Sequence, residues 1–233
     1  MKLEGRRSSR NLPKSLSNGT VVSAPANGDC FFHLVSLGIQ GVVLNERNEK
    51  TEELSPSPKR KKTNKDIVGH DSDSEIHDSS FNISNYVSVS SLRNLVADKY
   101  SKETFELMII AGQIPCTSRT VPSFNEYTSK LRNERAFADE HCLGIISSQL
   151  DIAFLILDDN IGGKPVCYWN ASEIVIKDKD TQSQSSVPKY FMTLRLGRQH
   201  YSGIKFDNKL LHHSKHLHPQ IAKFWETQIK NIQ

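Results

Sequence analysis

Four cysteines are spread through 233 residues, and Cys30, Cys116, Cys142 and Cys167 form no CxxC pair and share no regular spacing. That pattern supports neither a disulfide framework nor paired thiolate metal ligands, and a chain this long can bury a core without staples. Long apolar runs are also missing. Nothing approaches the roughly 18 to 20 residues needed to span a bilayer, and the first twenty residues are polar and basic, with no apolar signal core. The expectation is an intracellular chain with reduced thiols and no membrane association. Charge of one sign is scarce as well: 30 basic against 26 acidic residues leave +4. This excludes a general polyanion footprint and disfavours nucleic acid as a partner unless a local patch carries it.

What is present divides the chain unevenly. Residues 1–19 hold Lys2, Arg6, Arg7, Arg10 and Lys14 among Ser, Asn and Gly, with little to pack, and are expected to form a flexible basic arm. Residues 20–233 are expected to form one domain. Inside it, 45–80 has only Leu54, Ile67, Val68 and Ile76 as large aliphatic residues, among many charges and serines with Pro56 and Pro58. Such a stretch does not repay its ordering entropy and is read as a disordered insertion.

The remainder alternates helix and strand signals. Phe31, Leu34, Val35 and Leu37 form a helix-compatible stripe from Cys30 to Ile39, closed by Gly41, and Leu92, Leu95 and Val96 mark a second helix after Ser90. Ser123-x-x-Glu126 matches a capping box, and Asp139 suits the cap of a helix running through Leu143, Ile146 and Leu150. Ile152 to Leu157, Glu173 to Ile176 and Tyr190 to Leu196 read as strands. Pro219 opens a final helix with Ile221, Trp225, Ile229 and Ile232 near one face. The pattern predicts an α+β fold, with helices flanking a central twisted sheet.

Chemistry concentrates in Asn27-Gly28-Asp29-Cys30-Phe31-Phe32-His33. A cysteine in the first turn of a helix meets free backbone amides and the positive end of the helix dipole, which favour a thiolate and can hold an oxyanion. An ordinary thiol, with a pKa of about 8.5, also needs a neighbouring imidazole to ionise appreciably at neutral pH. His200, after the Tyr190 to Leu196 strand, is the candidate. Against this stands packing, because a free Cys beside aromatics is commonly a buried core residue. On spacing alone the two readings are level.

The segment Asn27 to His33 resembles the nucleophile motif of the ovarian-tumour (OTU) family of cysteine proteases, Asp-Gly-Asn/Asp-Cys-Leu/Phe-Phe/Tyr-Arg/His, and Gln199-His200-Tyr201 resembles its C-terminal His-Tyr motif. Between them, Leu92 to Tyr100 is similar to the family's Leu-Arg helix and Phe124 to Tyr127 to its Phe-x-x-Tyr segment, while Ala136 to Asp139 stands where the family has Trp-Gly. The match spans about Val21 to Phe206, excluding the expected insertion at 45–80. The resemblance implies a papain-like OTU fold and hydrolysis of the isopeptide or peptide bond after the ubiquitin C-terminus, without metal or cofactor. Cys30 would be the nucleophile and His200 the base, with the amides of Gly28, Asp29 and Cys30 as oxyanion donors. The expected partners are ubiquitin or polyubiquitin, with ubiquitin-like modifiers as further candidates, and a monomer is expected. Two positions depart from the family: Asn27 replaces the usual Asp before the nucleophile, and Ser202 replaces the Asp or Asn after the histidine. Either could orient His200, and neither carries negative charge. A catalytically weak or inactive ubiquitin-binding module is therefore the alternative.

Other features have plainer readings. Lys59 to Lys62 is a basic cluster of the nuclear-import kind, so the expected location is cytoplasmic or nuclear; a solvated loop explains it equally well. His212, His213, His216 and His218 lack the spacing and partners of a zinc motif and are read as surface histidines.

Overall fold

The structure is a computed structural model that describes residues 12–53, 82–112, 114, 121–133, 137–159, 164–168, 188–198 and 200–230. Six helices and six strands lie within them: α1 (Cys30–Glu53), α2 (Val89–Lys99), α3 (Lys102–Ile110), α4 (Phe124–Asn133), α5 (Glu140–Leu150), α6 (Pro219–Lys230), β1 (Thr20–Ser23), β2 (Ile152–Asp158), β3 (Lys164–Tyr168), β4 (Tyr190–Gly197), β5 (His200–Lys205) and β6 (Leu211–His213).

The strands form one sheet in the order β1-β5-β4-β2-β3, with β6 beside the start of β4. β2 and β4 run parallel and the other pairs antiparallel. Side-chain alternation divides the core into two layers. Ile152, Phe154 and Ile156 of β2 join Met192 and Leu194 of β4 against Phe31, Leu34 and Val35 of α1 and Leu143 and Ile146 of α5. Ala153, Leu155 and Leu157, with Phe191, Ile204 and Phe206, face the other way onto Leu16, Ile221 and Trp225 of α6. Helices thus cover both faces, which is the expected α+β architecture.

The local signals worked where the deciding contacts are local. Glu126 Oε2 accepts the Ser123 amide at 2.7 Å while Ser123 Oγ accepts the Glu126 amide at 3.3 Å, completing the expected box. Asp139 caps α5 by accepting the Cys142 amide at 2.8 Å. Elsewhere the structure differs. The cap of α2 is Ser88, paired reciprocally with Ser91. Helix α1 passes the expected stop at Gly41 and continues to Glu53, because Gly41 does not take the left-handed conformation that ends a helix and the Glu, Arg and Lys residues beyond it are good helix formers. Residues 45–53 of the anticipated insertion are therefore helical, and 54–81 lie outside the described residues. Leu16, assigned to the arm, is fully buried between the sheet and α6, so order begins before Val21; residues 1–11 lie outside the description. The strand expected at Glu173 to Ile176 also falls outside it. Among the described residues no helix is long and apolar enough to cross a membrane.

Candidate active site

Antiparallel pairing of β1 with β5 ends at Ser23 opposite Ser202. The chain then turns away through Ala24 and Pro25, and that departure leaves His200 and Tyr201 on an open edge of β5. The loop Asn27-Gly28-Asp29 brings the first residue of α1 to this edge. Gly28 has φ +84°, a left-handed conformation that a side chain would strain. Asn27 Oδ1 accepts the Asp29 amide at 3.2 Å, and Asp29 O accepts the His33 amide at 2.7 Å to start the helix. The amides of Cys30, Phe31 and Phe32 precede the first intrahelical donor, the His33 amide, as in any first turn.

Two sets of contacts hold the helix start in place. Phe31 packs edge-on against Phe154 of β2 and tilted against Tyr201 of β5, at ring distances of 5.3 and 5.5 Å. Full burial of such a side chain is worth about 1.5–3 kcal/mol. Arg93 of α2, 4% exposed, donates from Nε to Asp29 Oδ1 at 2.9 Å, from Nη1 to Leu131 O at 3.0 Å, and lies over the Phe32 ring at 4.6 Å. This clamp joins α2 and α4 to the Asn27–Asp29 loop. The Leu92-Arg93 pair was visible in the sequence as a helix signature, but nothing local indicated that Arg93 would reach a loop 64 residues earlier.

The result is a contact between groups 171 residues apart: the Tyr201 amide donates to Cys30 Sγ at 3.4 Å. Standard backbone lengths then put the sulphur within about 6 Å of the His200 Cα. His200 follows the strand Tyr190–Gly197, as expected, and opens the next one, because Arg198 at φ +47° turns the chain from β4 back into β5. His200, Ser202 and Ile204 alternate onto the α6 face, whereas Tyr201 turns its ring to α1. Cys30 and His200 are therefore neighbours, and Ser202 shares the histidine's face. Asn27 sits in the loop before α1 with its carboxamide oxygen on the Asp29 amide. Among the described residues the His200 ring has no hydrogen-bond partner.

The other thiols differ in kind. Cys142 is fully buried on α5, where burial pushes its thiol well above the ordinary value and Asp139 adds to the effect. Cys116 and the side chain of Cys167 lie outside the described residues. The histidine cluster needs one correction: His212 is 4% exposed, not a surface residue, because β6 tucks it against Phe206 with Nε2 at 3.2 Å from Lys209 O. Burial lowers its pKa from 6.5 to about 4. Among the described residues no group of three or more His, Cys, Asp or Glu could hold a metal ion.

No family model and no curated protein matches the chain. Solved structures do resemble it. An OTU domain in complex with ubiquitin aligns over 92% of this chain and 90% of its own, at 12% identity and a TM-score of 0.46. An OTU deubiquitinase from Wolbachia pipientis wMel covers 91% of this chain and 98% of its own, at 16% identity and a TM-score of 0.44. The Hazara virus OTU bound to ubiquitin covers 80% of each chain, at 14% identity and a TM-score of 0.33.

Proposed function

We propose that the chain is a thiol hydrolase of the OTU type, a deubiquitinase that cuts the isopeptide or peptide bond following the ubiquitin C-terminus. The observation that carries this reading is the 3.4 Å approach of the Tyr201 amide to Cys30 Sγ. It brings a thiol at a helix start beside the backbone of the one histidine that the sequence motifs nominate.

Cys30 is the nucleophile and attacks the scissile carbonyl. Negative charge developing on that oxygen meets the amides at Gly28 and Cys30; the Asp29 amide, expected as a third donor, is already given to Asn27 Oδ1 at 3.2 Å. His200 takes the thiol proton and returns it to the leaving amine, then activates the water that hydrolyses the thioester. Ser202, on the face of His200, and Asn27, in the nucleophile loop, are the neutral groups proposed to help orient the ring. Ubiquitin or polyubiquitin is the proposed partner, with ubiquitin-like modifiers as further candidates, and the protein is proposed to work as a monomer.

The test is a ubiquitin probe bearing a C-terminal electrophile, offered to wild type and to Cys30→Ala. A covalent adduct mapped to Cys30 and missing from the variant is the expected result. An adduct on Cys142, or none at all, rejects the assignment. The second reading, a binding module without turnover, is favoured by the absence of a hydrogen-bond partner for His200 among the described residues. It predicts saturable ubiquitin binding, without adduct, that survives Cys30→Ala.

A further inference from the structure

The sequence offers no carboxylate at the two positions from which the family resemblance would draw one, yet the sheet register brings one to the site by another route. β2 and β4 run parallel with Asp158 opposite Leu196, so Asp159, the next residue, falls level with Gly197. Gly197 is in turn the register partner of His200. Asp159, Gly197 and His200 therefore lie in one row across the strands, and Cys30 Sγ approaches the far, open edge of β5. The histidine stands between the thiol on one side and the carboxylate on the other.

Three details aim the carboxylate along this row. Gly197 has no side chain to block it: a Cβ there would come 3.2 Å from Asp159 Oδ2, closer than ordinary van der Waals contact. Register partners turn their side chains to the same face with Cβ positions about 5 Å apart, so the carboxylate oxygen over Gly197 is on the His200 side of the sheet. Arg195 Nε donates to Asp159 Oδ1 at 3.1 Å and Oδ2 at 3.0 Å, with the two side chains 11% and 23% exposed. Arg195 is itself the register partner of Ser202. The pair anchors Asp159, and a carboxylate oxygen can accept from more than one donor.

We infer that Asp159 is the positioning residue for His200, the charged third member that neither Asn27 nor Ser202 supplies, and that Gly197 is glycine to let its carboxylate lean across β4. The inference rests on the Cys30–His200 reading. Rotation of the His200 side chain toward Gly197 completes the hydrogen bond, in keeping with catalytic contacts that tighten only when substrate binds. The Asp159 charge then stabilises the imidazolium, and with it the Cys30 thiolate.

The experiment is alkylation of Cys30 by iodoacetamide, followed from pH 4 to 10 by mass spectrometry of the Cys30 peptide, for wild type, Asp159→Asn and Gly197→Ala, with melting curves on each. Asp159→Asn keeps an acceptor for Arg195 and removes the charge. Its rate is expected to rise at higher pH than in wild type, roughly tenfold or more below wild type near neutral pH and converging with it at alkaline pH, where the thiolate forms without the imidazolium. Gly197→Ala retains every charge and displaces the carboxylate; it is expected to lower the rate in the same direction by less, and it decides the matter if Asp159→Asn does not fold. Profiles that superimpose on wild type, or a Cys30 that does not react in wild type, overturn the assignment. Because iodoacetamide asks nothing of ubiquitin, the two readings separate. The expected profiles without a ubiquitin-probe adduct leave Asp159 in its role and remove ubiquitin as the substrate.

Discussion

The Arg93 guanidinium on α2 closes on the Asp29 carboxylate one residue before the candidate nucleophile, with the arginine side chain 4% and the aspartate 21% exposed. Arg93→Met leaves Asp29 partly buried without its counter-charge and releases Leu131 O from its donor. Breaking one side of a buried pair costs about 3 kcal/mol or more, so chemical denaturation should show a loss of that order. Arg93→Met should lower the melting temperature and activity together. Unchanged stability would mean that the clamp contributes little.

Cys30→Ala and His200→Ala should each remove essentially all turnover while leaving the fold intact, and the double variant should be no worse than either single, because the two act as one unit. Turnover of a ubiquitin dimer with far-UV spectra of each variant checks this. Losses that multiply would argue for separate roles. Cys142→Ala should retain catalysis, since its thiol is buried, raised and remote in role from the β5 edge; a folded but inactive Cys142→Ala would move the nucleophile to α5.

Ser202→Ala and Asn27→Ala each remove a neutral group, and turnover should fall far less than in Cys30→Ala or His200→Ala. Asn27→Ala should have the more structural signature, because its Oδ1 holds the Asp29 amide within the loop. Comparison of kcat with melting temperature separates the two effects. A loss in Ser202→Ala as deep as in His200→Ala would make the hydroxyl the main orienter and displace Asp159.

His212 ties stability to pH. Burial lowers its folded-state pKa from 6.5 to about 4, so between those values the unfolded chain binds a proton that the folded chain refuses. Stability from this residue is complete above about pH 6.5 and declines as pH falls toward 4, by up to about 3 kcal/mol. His212→Gln retains a donor for Lys209 O and should flatten the dependence of the urea midpoint on pH across that window. Equal slopes in wild type and variant would show that His212 takes up its proton without cost.

Features that depend on neighbours a few residues away could be read from the chain directly. The Ser123–Glu126 box, the Asp139 cap, the β2 run and the helix beginning at Cys30 were legible because each rests on amides, side chains or periodicity within one or two turns of chain. The expected stop of α1 at Gly41 failed for the same local reason: a glycine ends a helix only when the chain beyond it cannot go on, and here it can. Tertiary structure alone decided the site. That β1 quits its ladder at Ser23 and exposes the His200 edge, that Phe31 seats on Phe154 and Tyr201 so that Cys30 reaches this edge, and that Arg93 reaches back to Asp29 are all consequences of packing between distant segments. The row Asp159, Gly197, His200 depends on strand register across β2, β4 and β5. A shift of one residue in any ladder would send those side chains to the other face, and register is set by the joint burial of both core layers, which no short stretch of sequence contains.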